Sequence, residues 1–280
     1  MNVFVCICSE EYLPYYQVLY DSLKPYGIKQ LLYFIGENVP TCYDEVINIT
    51  HWYNEANKFY NNKLQSICSL RARAVLDANL KGYNKICFTG AKLEFFQNPK
   101  NYFYDLINSD VIYTPHIIEP LPEDGLFPSN ASVSFTGHIS TDLIFFNTTS
   151  EKVIKFLKWQ DNIMQTQCVN GPKTYLDQSW LNFLPSFVDF THMDRNPALN
   201  CAYWRLNDNN FHKSNDMWCI EDNPLIAFQY SGLDINNPKG ISTHQNRYTA
   251  SGDLLEFLTI YSDKIKKYQF NNNFEKKLLA

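Results

Sequence analysis

Apolar residues along this chain fall into two periods. Asn2 to Cys8, Gln30 to Ile35 and Lys85 to Phe88 are nearly unbroken apolar runs of strand length. Such runs fill strands buried on both faces, the condition inside a parallel sheet covered by helices. Between the first two, Ser9-Glu10-Glu11 turns the chain into a helix with Pro14 in its opening turns, and Pro25-Tyr26-Gly27 ends it after Leu23. Strand, helix, strand in this order predicts a right-handed crossover and a parallel pair.

The helical period is clearest from Asn62 to Leu80, where Leu64, Ile67, Cys68, Val75 and Ala78 recur on one stripe. Arg71 falls on the same stripe. An unpaired buried guanidinium is costly, so Arg71 needs an anion, either an internal carboxylate or a phosphate. Arg73 lies nearly opposite by helical angle, so one of the two is expected in solvent.

The remaining pattern is weaker. Gly36 to Asn61 reads as a short strand, Glu45 to Asn48, within a polar aromatic loop. Pro99 to Ile107 is a short helix and Asp110 to Thr114 a strand. Ile117 to Gly137 is punctuated by prolines and too long for a passive connection, so it is expected to overlie a site. Asp142 to Asn147 is a strand, and Ser150 caps a helix to Asn162. Gly171-Pro172 leads into a short helix bearing Asp177-Gln178-Ser179-Trp180. Asn200 to Leu206 and Leu225 to Tyr230 are strand-like, and Ser231-Gly232 makes a turn. Asp253 to Tyr268 is a helix with Leu254, Phe257, Leu258, Tyr261 and Ile265 on one face. The predicted class is α/β, a single domain over residues 1–280 with a mixed, mostly parallel sheet flanked by helices and a C-terminal elaboration.

Composition narrows the function classes. A net charge of −5 argues against nucleic acid or an anionic membrane as the main partner. No stretch approaches the length of a membrane span, and the first residues lack the basic region of a signal sequence, so a cytoplasmic location is expected. The eight cysteines show no zinc-ligand spacing and read as reduced thiols. No Gly-x-Gly-x-x-Gly follows the first strand, which disfavours a dinucleotide-binding dehydrogenase.

The chemistry is expected where Thr89-Gly90-Ala91-Lys92 breaks the third apolar run. In open α/β sheets ligands lie beyond the carboxyl ends of the strands, which also implicates Cys8-Ser9. Lys92 reads as either a solvated strand-end lysine or an anion ligand. Asp177 is either a helix N-terminal carboxylate favoured by the dipole or a reacting group, and Asp142 is the second candidate carboxylate. His116, before the long loop, and His244 and Arg247 in Ser242 to Tyr248 could touch a ligand; a solvated loop is the default for the last segment. Tyr203 and Trp204 either stack on a sugar or nucleobase or, as aromatics on a strand more often do, fill the core.

The order of motifs resembles the bacterial GT-A-type nucleotide-sugar glycosyltransferases, in the glycogenin-like and galactosyltransferase-like group. Leu70-Arg71-Ala72-Arg73, Gly82 to Phe88, Leu176 to Trp180, and Asn200 to Leu206 followed by Ala227 to Gly232 carry the resemblance. It implies a GT-A-type Rossmann-like fold with a nucleotide-binding half (1–115) and an acceptor-side half (116–280). It also implies a nucleotide-sugar donor, UDP-linked by preference, and a glycan, lipid-linked saccharide or protein acceptor. In that family an Asp-x-Asp and a late His hold a divalent cation on the diphosphate. Here Gly90-Ala91-Lys92 and Gln229 stand at those positions, which are poor ligands for a hard cation.

The resemblance therefore implies a metal-independent transferase with no cofactor. Lys92 with Arg71 or Arg73 would neutralise the diphosphate, and Cys8, Ser9, Thr89, Gly90, Ala91, Gln229, Ser231, Gly232, His244 and Arg247 would line the donor. Asp177, Gln178 and Asp142 would serve catalysis, and His116, Tyr203 and Trp204 the acceptor. Two alternatives stand beside it: a binding module that has lost catalysis, and a transferase recruiting Mn²⁺ or Mg²⁺ through Glu94, Asp142 or Asp177.

Overall fold

A computed structural model describes residues 1–206 and 210–278, with side chains to residue 270. The first half alternates strands and helices: β1 (Asn2–Ser9), α1 (Leu13–Leu23), β2 (Gln30–Ile35), β3 (Glu45–Asn48), α2 (Thr50–Tyr60), α3 (Lys63–Cys68), α4 (Arg71–Leu80) and β4 (Lys85–Thr89). There follow β5 (Leu93–Phe95), α5 (Lys100–Asp105), β6 (Val111–Pro115), α6 (Asn130–Thr136), β7 (Ile139–Asn147) and α7 (Glu151–Ile163). The chain ends with α8 (Gln178–Leu181), α9 (Leu184–Phe187), β8 (Thr191–Met193), β9 (Phe211–Ser214), β10 (Met217–Ile220), β11 (Asn223–Pro224), β12 (Ala227–Gln229) and α10 (Gly252–Leu278).

Seven strands form the central sheet in the order β3-β2-β1-β4-β7-β6-β8. Every neighbouring pair is parallel except those made by β7, which runs antiparallel to both β4 and β6. Both faces are covered, which explains the unbroken apolar runs. Val3, Val5 and Ile7 of β1 join a core with Val75 and Ala78 of α4 and Val153, Phe156 and Leu157 of α7. Phe4, Cys6 and Cys8 face the other way, onto Tyr16, Leu19 and Leu23 of α1. A third cluster packs Phe257, Leu258, Tyr261 and Ile265 of α10 against Phe228 and Tyr230. Strand β7, from the second half of the chain, completes the sheet begun by the first.

Four local expectations need correction. Thr50 to Tyr60 is helical, not a loop; none of its residues is fully buried, and Trp52, Tyr53 and Ala56 pack one face of it on the core. Leu64 does not share the buried stripe: the helix breaks at Ser69-Leu70, and Leu64 is 52% exposed on α3. Ser150 precedes α7 but its hydroxyl caps nothing; it donates to Asp110 at 2.9 Å. Asn200 to Leu206 is not a strand: Asn200 takes a positive φ of 56°, Cys201 makes a single bridge to Phe228, and Tyr203–Arg205 close a 3-10 turn.

Candidate active site

The carboxyl ends of β1, β4 and β6 and the start of β7 open onto a cleft of about 950 Å³. Cys8 and Ser9 close β1 at its wall, Gly90, Ala91 and Lys92 follow β4, and His116 follows β6. Asp142 reaches it from β7, and Asp177 and Gln178 from the start of α8. Tyr203, Trp204, Gln229, Ser231, Gly232 and His244 complete it from the C-terminal third of the chain. Thr89 is buried beneath the floor and does not line the cleft.

The floor is an ionic triad. Arg71 donates from Nη1 to Asp177, 3.3 Å to Oδ1 and 3.1 Å to Oδ2, while its Nη2 lies 3.2 Å from Asp142 Oδ1. Arg71 is the first residue of α4, where the helix dipole disfavours a cation, so the two carboxylates are what hold it there. Burial opposes its charge, but the carboxylates of Asp177 and Asp142 outweigh it and raise the guanidinium's pKa. Burial raises the Asp177 carboxyl above the usual carboxylate range, with Arg71 pulling the other way. Gln229 fixes the second oxygen of Asp142 through its side-chain amide, and Ser140 Oγ donates to Gln229 Oε1 at 3.4 Å.

Gly90 is required by this arrangement. A Cβ built there would come within 2.6 Å of Asp142 Cγ, so the Asp142 carboxylate fills the space a side chain at position 90 would need. The nearest carboxylate to the end of β4 is thus carried by the neighbouring antiparallel strand. Gly232 has φ +69° and leaves no room either, since a Cβ would meet His244 Cδ2 at 2.6 Å.

Lys92 lies in the cleft with a different environment. Its Nζ stands 5.2 Å from the Tyr12 ring centroid and 4.9 Å from that of Tyr15, and it forms no ion pair among the described residues. Burial lowers its pKa, partly countered by Asp142. Burial likewise lowers the His244 pKa, with Lys92 adding to the effect. The indole Nε1 of Trp204 is buried with no protein partner, a donor whose desolvation a ligand could offset. Just before Asp177, Leu176 holds a positive φ of 52°, a strained conformation for a branched side chain and one of the kind that collects at functional sites.

Two predicted donor residues lie elsewhere. Arg73 turns to α7, where Nε donates to Asp161 Oδ1 at 3.2 Å and the guanidinium covers Trp52. Arg247 is buried under the long loop. It pairs with Asp124 at 2.7 Å and donates to the carbonyls of Pro128 at 2.6 Å and Pro122 at 3.0 Å. Tyr12, Phe127 and Phe135 line the cleft although no spacing in the sequence singles them out.

The floor carboxylates of the cleft already have a cationic partner. Among the described residues no group of three His, Cys, Asp or Glu side chains is placed to hold a metal ion. Asp142 and Asp177 both face Arg71, and an amine and an amide stand beside them, where a hard cation takes anionic or carbonyl oxygens. Glu94 is buried away from the cleft, accepting from Tyr230 at 3.0 Å and paired with Lys264.

His116 makes a pH prediction. Its Nδ1–H donates to the Gly137 carbonyl at 2.8 Å, and its ring meets Trp204 edge-on at 4.9 Å. Burial lowers its pKa from 6.5 to about 4. The unfolded chain binds the proton more readily, so this histidine's contribution is complete above pH 6.5 and is lost as pH falls toward 4. Across that window wild type should lose about 3 kcal/mol that His116→Gln does not. Urea unfolding of both proteins at neutral and acid pH checks it.

No protein-family model matches the sequence, and neither does any curated protein. Solved structures do match. The galactosyltransferase LgtC, in complex with donor and acceptor sugar analogues, is similar over 94% of this chain and 95% of its own, at 13% identity and a TM-score of 0.51. Glycosyltransferase GlyE of Streptococcus pneumoniae TIGR4 is similar over 96% of this chain at 12% identity and a TM-score of 0.51. This chain spans 63% of the GlyE chain. The chain has the GT-A fold.

Proposed function

We propose that this protein is a glycosyltransferase that moves a sugar from a nucleotide diphosphate donor, UDP-linked, to a saccharide-bearing acceptor without a bound cation. The observation that carries the reading is Lys92, a cation without a carboxylate partner at the end of β4, beside the Arg71–Asp142–Asp177 floor. The neighbouring solved glycosyltransferases support the reaction class through the shared fold.

In the reaction the bond between anomeric carbon and diphosphate breaks, and its electron pair leaves with the phosphate oxygen. Lys92 stabilises that growing charge, with His244 beside it. The acceptor oxygen bonds to the anomeric carbon and gives up its proton. Asp177 and Asp142 are the carboxylates placed in the cleft to take that proton or to face the reacting carbon. Arg71 holds both floor carboxylates in place and is not free to bind phosphate.

Thermal-shift measurements with nucleotides and nucleotide-sugars, each in EDTA and in Mn²⁺, test this. UDP at about a hundred times its Kd should raise Tm by roughly 5 °C in EDTA. No response to any nucleotide under either condition would overturn the reading.

A further inference from the structure

The rim of the cleft is mixed: Glu11, Lys63 and Asp234 stand there in solvent, and three large apolar side chains stand among them. Leu64, Phe127 and Phe135 line it and are 52%, 47% and 40% exposed. Three large apolar side chains exposed at one ligand-sized cleft can cover the apolar part of a ligand that enters it.

Phe127 is held there by construction. Arg247, its side chain only 3% exposed, donates to the carbonyls of Pro122, Leu126 and Pro128 around it. Asn246 closes the clamp, its backbone N–H donating to Phe127 O at 2.9 Å and its side chain accepting from Phe127 N at 2.6 Å. Asp124 takes the Leu126 N–H at 3.0 Å. A buried guanidinium thus fixes an exposed phenylalanine at the rim. The same bonds leave residues 126–128 little main chain with which to pair an incoming peptide.

We propose that the acceptor is amphipathic: a saccharide carried on a hydrocarbon chain, its sugar on the ionic floor and its chain across Leu64, Phe127 and Phe135. This rests on the glycosyl-transfer reading for the sugar end. The rim's affinity for hydrocarbon stands apart from it.

Titration calorimetry with methyl and octyl β-glucoside, the latter below its micelle concentration, tests the proposal with and without UDP. The octyl glycoside should bind about tenfold tighter or better, given the free energy of each buried methylene. In Phe127→Ser/Phe135→Ser, and separately in Leu64→Ser, that ratio should shrink toward one. These positions are exposed, so the variants should fold, and a thermal melt verifies it. Equal binding of the two glycosides to wild type, or an octyl preference untouched by the substitutions, overturns the proposal. Tighter binding of the same sugar on a short apolar peptide overturns it in favour of a peptide acceptor. Failure of the transferase reading shows differently: UDP neither binds nor alters glycoside binding, while the octyl preference and its loss in the variants persist.

Discussion

Arg71→Met should be the most damaging single substitution in the cleft. It leaves Asp142 and Asp177 facing each other without their shared cation, and Asp177 is only 3% exposed. Removing one partner of a buried ion pair costs about 3–5 kcal/mol, and the lower end applies because Arg71 itself is 21% exposed. The variant should lower the urea midpoint and lose activity together. Because repulsion between the carboxylates drives the loss, Asp142→Asn added to Arg71→Met should recover part of the stability but not the activity. Equal stability of Arg71→Met and wild type would mean that the triad is held by something other than its charges.

Lys92→Met should leave the fold intact and remove turnover. Burial already works against the Lys92 charge, so a neutral side chain of similar length removes a desolvation cost as well as two ring contacts. Stability should stay within about 1 kcal/mol of wild type. Transfer should fall by about 10²–10³ in kcat, the loss seen when one preorganised donor to a developing anion is removed. Lys92→Arg should restore part of it. Kinetics on the three proteins with one donor decide the matter, and a variant that turns over like wild type would dismiss Lys92.

How much of this could be read from the chain depended on range. The buried strands were legible because β1, β2 and β4 carry apolar residues on both faces, and the predicted limits of β2 and β3 coincide with those observed. Helix α2 was not, since the face it packs on the core is three partly buried residues, Trp52, Tyr53 and Ala56, set among polar and aromatic neighbours. Strands β8, β9, β10 and β11, two to four residues long, were not legible, although β3 at four residues was.

In the cleft, the break after Phe88 located the sheet edge, and Gly90 and Lys92 stood out for what they replaced. Their reasons were non-local. Gly90 answers to Asp142 on another strand, and Arg71 to carboxylates 71 and 106 residues further along. Arg71 needed an anion, as its helical position required, but no periodicity could choose between a carboxylate and a phosphate. For Arg247 the sequence offers a ligand contact or a solvated loop, and the side chain is in neither place, because three loop carbonyls and Asp124 hold it.

The central claim is that a lysine takes the place of a cation at the diphosphate. Titration calorimetry of UDP into wild type and Lys92→Met, both in EDTA, tests it most directly. Wild type should bind without added metal, and the variant should bind about tenfold more weakly or worse, as expected for losing a charge-assisted contact to phosphate. Binding that is absent in EDTA, appears only with Mn²⁺ and is the same in both proteins would contradict it.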